Sequence, residues 1–208
     1  TPNISSIIII CRVVSNEGKN KRVWIAHMKA LTVTNIPNTQ MALEASGLVK
    51  GTVDSQFSVD EHDGYLRVAT TTGNRWSFNS LNHLFVLQQS GELLNVVGSV
   101  ESLAPTESIY SMRYDGDRAW MVTFRQIDPV YSFDLSDPTD PKVTGELKIP
   151  GYSDYLQLID KNHLLAVGRG ADGGRIGELQ VSLFNIADMA NPTLLHRYSF
   201  EEGSSGHS

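Results

Sequence analysis

The sequence predicts an all-β fold of repeated four-stranded antiparallel units stacked side by side, a β-propeller or part of one. Three observations carry this. Short runs rich in β-branched and aromatic residues recur along the chain. Aspartate, glycine and proline punctuate them at matching places. The repeat length is that of a propeller blade: inner turns at Asp115 and Asp160 lie 45 residues apart, and outer turns at Asp137 and Asp188 lie 51 apart. A unit of this kind cannot bury its faces alone, so it must stack on neighbours.

The elements follow in order. Residues 4–14 and 23–28 read as the first two strands, joined by a hairpin over 16–21. Residues 30–36, a turn at 37–40, and residues 41–49 complete the first unit. In the second unit, residues 56–59 lead to the turn His62-Asp63-Gly64, and 65–70 return. Residues 82–87, the turn Gln89-Ser90-Gly91 and residues 93–100 finish it.

The third unit is the clearest. Residues 109–114 run to Asp115-Gly116-Asp117, 118–124 return, and 125–129 form a loop. Residues 130–135 then meet the proline-bounded turn 136–141, where proline and aspartate favour a turn over a ladder. Residues 142–149 close the unit. In the fourth, 155–159, the turn Asp160-Lys161-Asn162 and 163–167 form a hairpin, and the glycine-rich stretch 169–177 reads as a flexible loop. Residues 179–186, the turn 188–192 and 193–200 end it. One domain over 1–200 is expected, with blades at about 4–50, 51–101, 107–150 and 153–200, and a disordered tail over 201–208. Four blades can close a small propeller or form part of a larger one.

Composition removes several functions. With 40% hydrophobic and 19% charged residues in 208, the chain is an ordinary globular one. Its net charge of −6 argues against nucleic acid as a partner. The single cysteine, Cys11, excludes an internal disulfide and an all-cysteine metal site. Ile7 to Ile10 begin too short an apolar run for a membrane helix, which needs about 20 residues. A membrane role is expected only through regions outside this chain. Among the histidines, His27, His62, His83, His163 and His196 show no pair at metal-ligand spacing, so no metal and no cofactor are expected. Ser153 enters a strand rather than a helix, so it is no nucleophile elbow.

Several strings carry a family resemblance: QFSVDEHDGYLRVATTTG over 56–73, LAPTESIY over 103–110, DRAWMVTFRQIDP over 117–129, DLSDP over 134–138 and IPGYSDY over 149–155. On these, residues 51–192 resemble a secreted β-propeller domain family of bacteria and archaea, distantly related to tryptophan-aspartate repeat proteins. Val130-Tyr131 stands where that family usually has Leu-Phe, a conservative change for a strand. The resemblance implies an extracytoplasmic domain, secreted or tethered to the surface, and carries no activity with it.

In a propeller, the loops from fourth to first strands share one end with those from second to third strands, and that end can vary without harming the blades. One set holds Asp54, Glu107, Asp154 and Tyr155; the other holds Arg75, Trp76, Arg125, Asp128 and Arg169. Together they offer acids, arginines and aromatics, which is what a polar ligand pocket needs. Each also has a plain structural reading. Asp128-Pro129 can simply turn the chain, Arg125 can pair with a neighbouring acid, and Tyr155 can be packing. The leading expectation is an extracytoplasmic binding module for a protein or a cell-surface polysaccharide. One alternative is a hydrolase or lyase on a polar polymer, with Asp54, Asp128, Asp154 and Arg125 as acid, base and charge clamp. Another is a structural piece of a larger propeller.

Overall fold

A computed structural model describes residues 5–11, 22–31, 40–124, 128–149, 152–172 and 175–200. The first blade has three strands among them: β1 (Ser5–Cys11), β2 (Arg22–Leu31) and β3 (Gln40–Lys50). The second has β4 (Val59–His62), β5 (Tyr65–Thr72), β6 (Leu81–Ser90) and β7 (Leu93–Leu103). The third has β8 (Ser108–Asp115), β9 (Arg118–Phe124), β10 (Asp128–Asp134) and β11 (Lys142–Ile149). The fourth has β12 (Tyr152–Asp160), β13 (His163–Asp172), β14 (Arg175–Asn185) and β15 (Thr193–Ser199). Within each blade, consecutive strands pair antiparallel, so each is an up-and-down meander. The first two blades count as one seven-stranded sheet only because β3 meets β7 at a single parallel pair, Ser46 with Leu93. The result is the all-β, curled stack expected of a partial propeller.

Four readings of the sequence need correction. The two strands expected over 23–28 and 30–36 are a single strand as far as Leu31, with Lys29 paired to Ala42. No residue from His27 to Ala30 favours a turn, so the ladder runs on. Residues 56–58 form a 3-10 turn before β4 rather than strand. The loop expected over 125–129 ends sooner, since Asp128 and Pro129 already pair with Ile149 and Lys148. Pro129 is tolerated because pairing of β10 with β9 begins only at Val130. The glycine-rich stretch is mostly hairpin, with Ala171 paired to Ile176 and Asp172 to Arg175. The expected hairpin over 16–21 and the tail 201–208 lie outside the described residues.

The core lies between blades. Strand β9 shows why: Ala119 and Met121 point to the second blade, Trp120 and Val122 to the fourth, and all four are buried. Ala69 and Leu84 of the second blade meet Ala119, Met121 and Phe133 of the third. Trp120, Val122 and Val130 meet Leu156, Leu164, Ala166 and Phe184 of the fourth. Ala45 and Val49 of the first blade pack on Val68 and Phe85 of the second.

Two polar devices recur at these junctions. The outer strands β7 and β11 each bulge by one residue, and a glycine follows the bulge, Gly98 and Gly145. A Cβ on Gly98 would lie within 3.0 Å of the Pro138 carbonyl oxygen in the next blade's outer turn, and one on Gly145 within 3.0 Å of the Met189 carbonyl oxygen. Gly47 in β3 meets the Leu94 carbonyl in the same way. At the inner turns, Arg67 donates to the Gly116 carbonyl and Arg118 to the Lys161 carbonyl, equivalent acceptors one blade apart.

Candidate ligand-binding cleft

The cleft opens at the end of the stack where blades are entered and left, between the second, third and fourth blades. Its volume is about 630 Å³, and its walls include Asp54, Asn74, Trp76, Tyr110 and Asp154. Each wall has a local cause.

Gly51 turns the chain out of β3 with a φ of +99°, a conformation few other residues adopt. Thr52 then bridges Thr71, donating its N–H to the Thr71 carbonyl at 2.9 Å and accepting from Thr71 N–H at 3.0 Å. That pair fixes Asp54 at the rim, where its side chain is exposed. Between β5 and β6, the Asn74 carboxamide oxygen accepts from Trp76 N–H at 2.8 Å, and the Asn79 side chain accepts from Asn74 N–H at 2.8 Å. The two caps shape the 3-10 turn over Arg75–Ser77. Trp76 stands there 76% exposed.

The floor depends on Asn82, fully buried at the start of β6. It accepts from Thr71 Oγ1 at 2.8 Å and donates to the Leu103 and Glu107 carbonyls at 3.3 and 3.2 Å. Those bonds hold the end of β7 and its connection to β8, where Ser102, Ala104 and Thr106 all take positive φ. Three such residues within five cost energy, and strain of this kind gathers at binding sites. On the far wall, Ser111 Oγ donates to the Ser153 carbonyl at 2.8 Å, tying β8 to β12 beside Asp154. Burial pushes the Asp154 carboxyl up from the ordinary range, and the Arg169 charge partly opposes that.

The expected site residues divide. Asp54, Trp76 and Asp154 line one cleft. Glu107 lies beside it and accepts from Thr123 Oγ1 at 2.5 Å. Arg169 sits on β13, close enough to act on Asp154. Arg75 lies on the cleft turn, but its side chain is outside the described residues, as are that of Asp128 and the whole of Arg125. Tyr155 is not in the cleft wall: its ring meets Phe57 edge-on at 5.9 Å and its hydroxyl donates to Gln157 at 2.7 Å. Among the described residues, no three of His, Cys, Asp and Glu gather as a metal site. Sequence reading missed Thr71 and Asn82, whose importance comes from partners distant in sequence.

Known proteins agree with this architecture. The chain is 44% identical over 178 residues, 85% of its length, to an uncharacterised protein of Archaeoglobus fulgidus. It is 44% identical over 155 residues, 74% of its length, to an uncharacterised protein of Methanocaldococcus jannaschii. These stretches cover 27% and 24% of the relatives, so the chain spans about a quarter of their length. A family model described as a beta propeller domain matches residues 8–208, and the chain belongs to that family.

Proposed function

We propose that this domain is a binding module whose cleft holds a neutral, polyhydroxylated polymer such as a cell-surface polysaccharide. The observation that carries the reading is Trp76, exposed and set in one cleft with carboxylates from two other connections, Asp54 and Asp154. An exposed indole offers a flat apolar face to the C–H side of a sugar ring. Carboxylate and amide groups around it, Asn74 included, accept or donate to hydroxyls. A cleft of about 630 Å³ suits a ligand of two or three sugar units. The net charge of −6 disfavours a polyanion. Following the family resemblance, the module works outside the cytoplasm, which protease access to a tagged protein on intact cells would test.

Calorimetric titration against a panel of neutral oligosaccharides tests the cleft. Trp76→Ala is expected to weaken binding at least tenfold, and Asp54→Asn several-fold, with the fold intact by circular dichroism. Absence of binding across the panel, or unchanged affinity in Trp76→Ala, sinks the reading. A second reading, hydrolysis or elimination on the same polymer, is favoured by the raised Asp154 carboxyl in a cleft whose walls also include Asp54. It requires new reducing ends from wild-type protein and none from Asp154→Asn.

A further inference from the structure

We propose that the junction between the third and fourth blades binds a halide ion such as chloride, held by Arg113, Trp120 and Ser132. The three form one row across the third blade: Arg113 pairs with Trp120, and Trp120 with Ser132. Residues paired in this way project to the same face of a sheet. That face is turned to the fourth blade, because Trp120 packs with Leu156, Leu164 and Phe184.

The row lacks an acceptor. Arg113 Nε, Trp120 Nε1 and Ser132 Oγ are buried and have no hydrogen-bond partner among the described residues. The first two can only donate, and the hydroxyl can donate as well. Unpaired buried donors are costly, and three in one row are explained together by a shared acceptor. The leucines and phenylalanine that face them from the fourth blade offer none.

The second blade shows what that acceptor replaces. Counted from the inner turns, its corresponding row is Asp60, Arg67 and Val86. There the carboxylate stands beside the guanidinium, and Asp60 accepts from Arg67 Nε at 2.9 Å. In the third blade the guanidinium has moved to the inner strand, and no described carboxylate pairs with it. A halide supplies there the negative charge that Asp60 supplies one blade earlier. Arg118, with its guanidinium 5.1 Å from the centre of the Trp120 ring, adds positive potential. Arg113 is partly exposed, so the ion enters from that end of the row. A spherical monoanion needs only a few donors, whereas a polyatomic oxyanion would have to displace the packed apolar side chains. The ion adds to the junction by mass action, so its contribution grows with halide concentration.

Proton NMR of the indole N–H groups tests this in the 208-residue chain, prepared in sodium gluconate and titrated with sodium chloride at constant ionic strength. Trp24→Phe and Trp76→Phe identify two of the three resonances and leave that of Trp120. The Trp120 resonance is expected to shift saturably, with the unfolding temperature rising alongside it. Arg113→Gln should weaken the response at least tenfold while the Trp120 resonance keeps its folded position in gluconate. Ser132→Ala should weaken it by a smaller factor, and Arg113→Lys should restore part of it. A Trp120 resonance that does not move overturns the proposal and leaves water as the acceptor. So does a response that never saturates, that all three indoles share equally, or that survives both Arg113→Gln and Ser132→Ala.

Discussion

The junction between the second and third blades and that between the third and fourth solve one packing problem by opposite chemistry. In the first, Arg67 fills the forward position on the blade's second strand. It is only 4% exposed, pairs with Asp60 and lies over the Tyr114 ring at 5.1 Å. In the second, the equivalent place holds Trp120, also fully buried, with the Arg118 guanidinium 5.1 Å above its ring. One junction buries a charge with partners; the other buries an aromatic and leaves the cation at its edge. A repeat thus conserves a contact position and an acceptor carbonyl while the residue facing them changes.

The comparison can be pressed at several points. Trp120→Ala should have the largest effect, a loss of about 3–5 kcal/mol in denaturant unfolding, because the void it leaves is walled by two sheets. Trp120→Phe should cost far less, since Trp120 Nε1 has no hydrogen-bond partner among the described residues. Comparable losses for the two variants would show that the indole N–H, not its volume, holds the junction.

Acid extends the test to the junction with the first blade. There His83 is buried between Thr72 Oγ1, at 2.9 Å from Nε2, and Ser102 N–H, which donates to Nδ1. Burial, with Lys50 nearby, pushes its pKa down to about 4. The unfolded chain binds that proton near pH 6.5, so stability falls as pH drops from about 6.5 to about 4, by up to about 3 kcal/mol. His83→Gln should flatten the curve in that window. An unchanged slope would assign the acid sensitivity to the carboxylates.

Arg67→Ala should cost about 3 kcal/mol by stranding Asp60 and freeing the Gly116 carbonyl. The double change Arg67→Met with Asp60→Leu should return within about 1 kcal/mol of wild type if the pair supplies fit rather than net attraction. A double variant as weak as the single one would show that the charge itself is required. Gly98→Ala should cost about 1–3 kcal/mol, because its Cβ would meet the backbone of the 138–141 turn.

Much of this was legible in the sequence. The turns at Asp115, Asp137, Asp160 and Asp188 marked the strand ends of the third and fourth blades, because turn chemistry is local. The first blade was misread where a run with no turn former was divided at Lys29. The glycines near 170 were read as freedom, yet Gly177 faces Gly170 across a hairpin. Gly98 and Gly145 carried a usable signal: an isolated glycine inside a strand marks a close backbone approach. Loop position alone grouped Asp54, Trp76 and Asp154, which line one cleft. Asn82 could not be, since its partners Glu107 and Leu103 lie more than 20 residues away.

The turns have a further consequence, for the order in which the domain forms. Asp137 accepts from Thr139 N–H, Asp160 from Asn162 N–H and Asp188 from Ala190 N–H, each two residues away. Each hairpin is closed by its own aspartate before any neighbour arrives. Contacts within a blade join near residues, whereas Ser111 to Ser153 spans 42 and Arg67 to Gly116 spans 49. Short loops close at lower entropic cost than long ones, so blades should assemble as separate cooperative units that dock afterwards. Amide exchange would then show protection lost blade by blade, with the hairpins surviving longest.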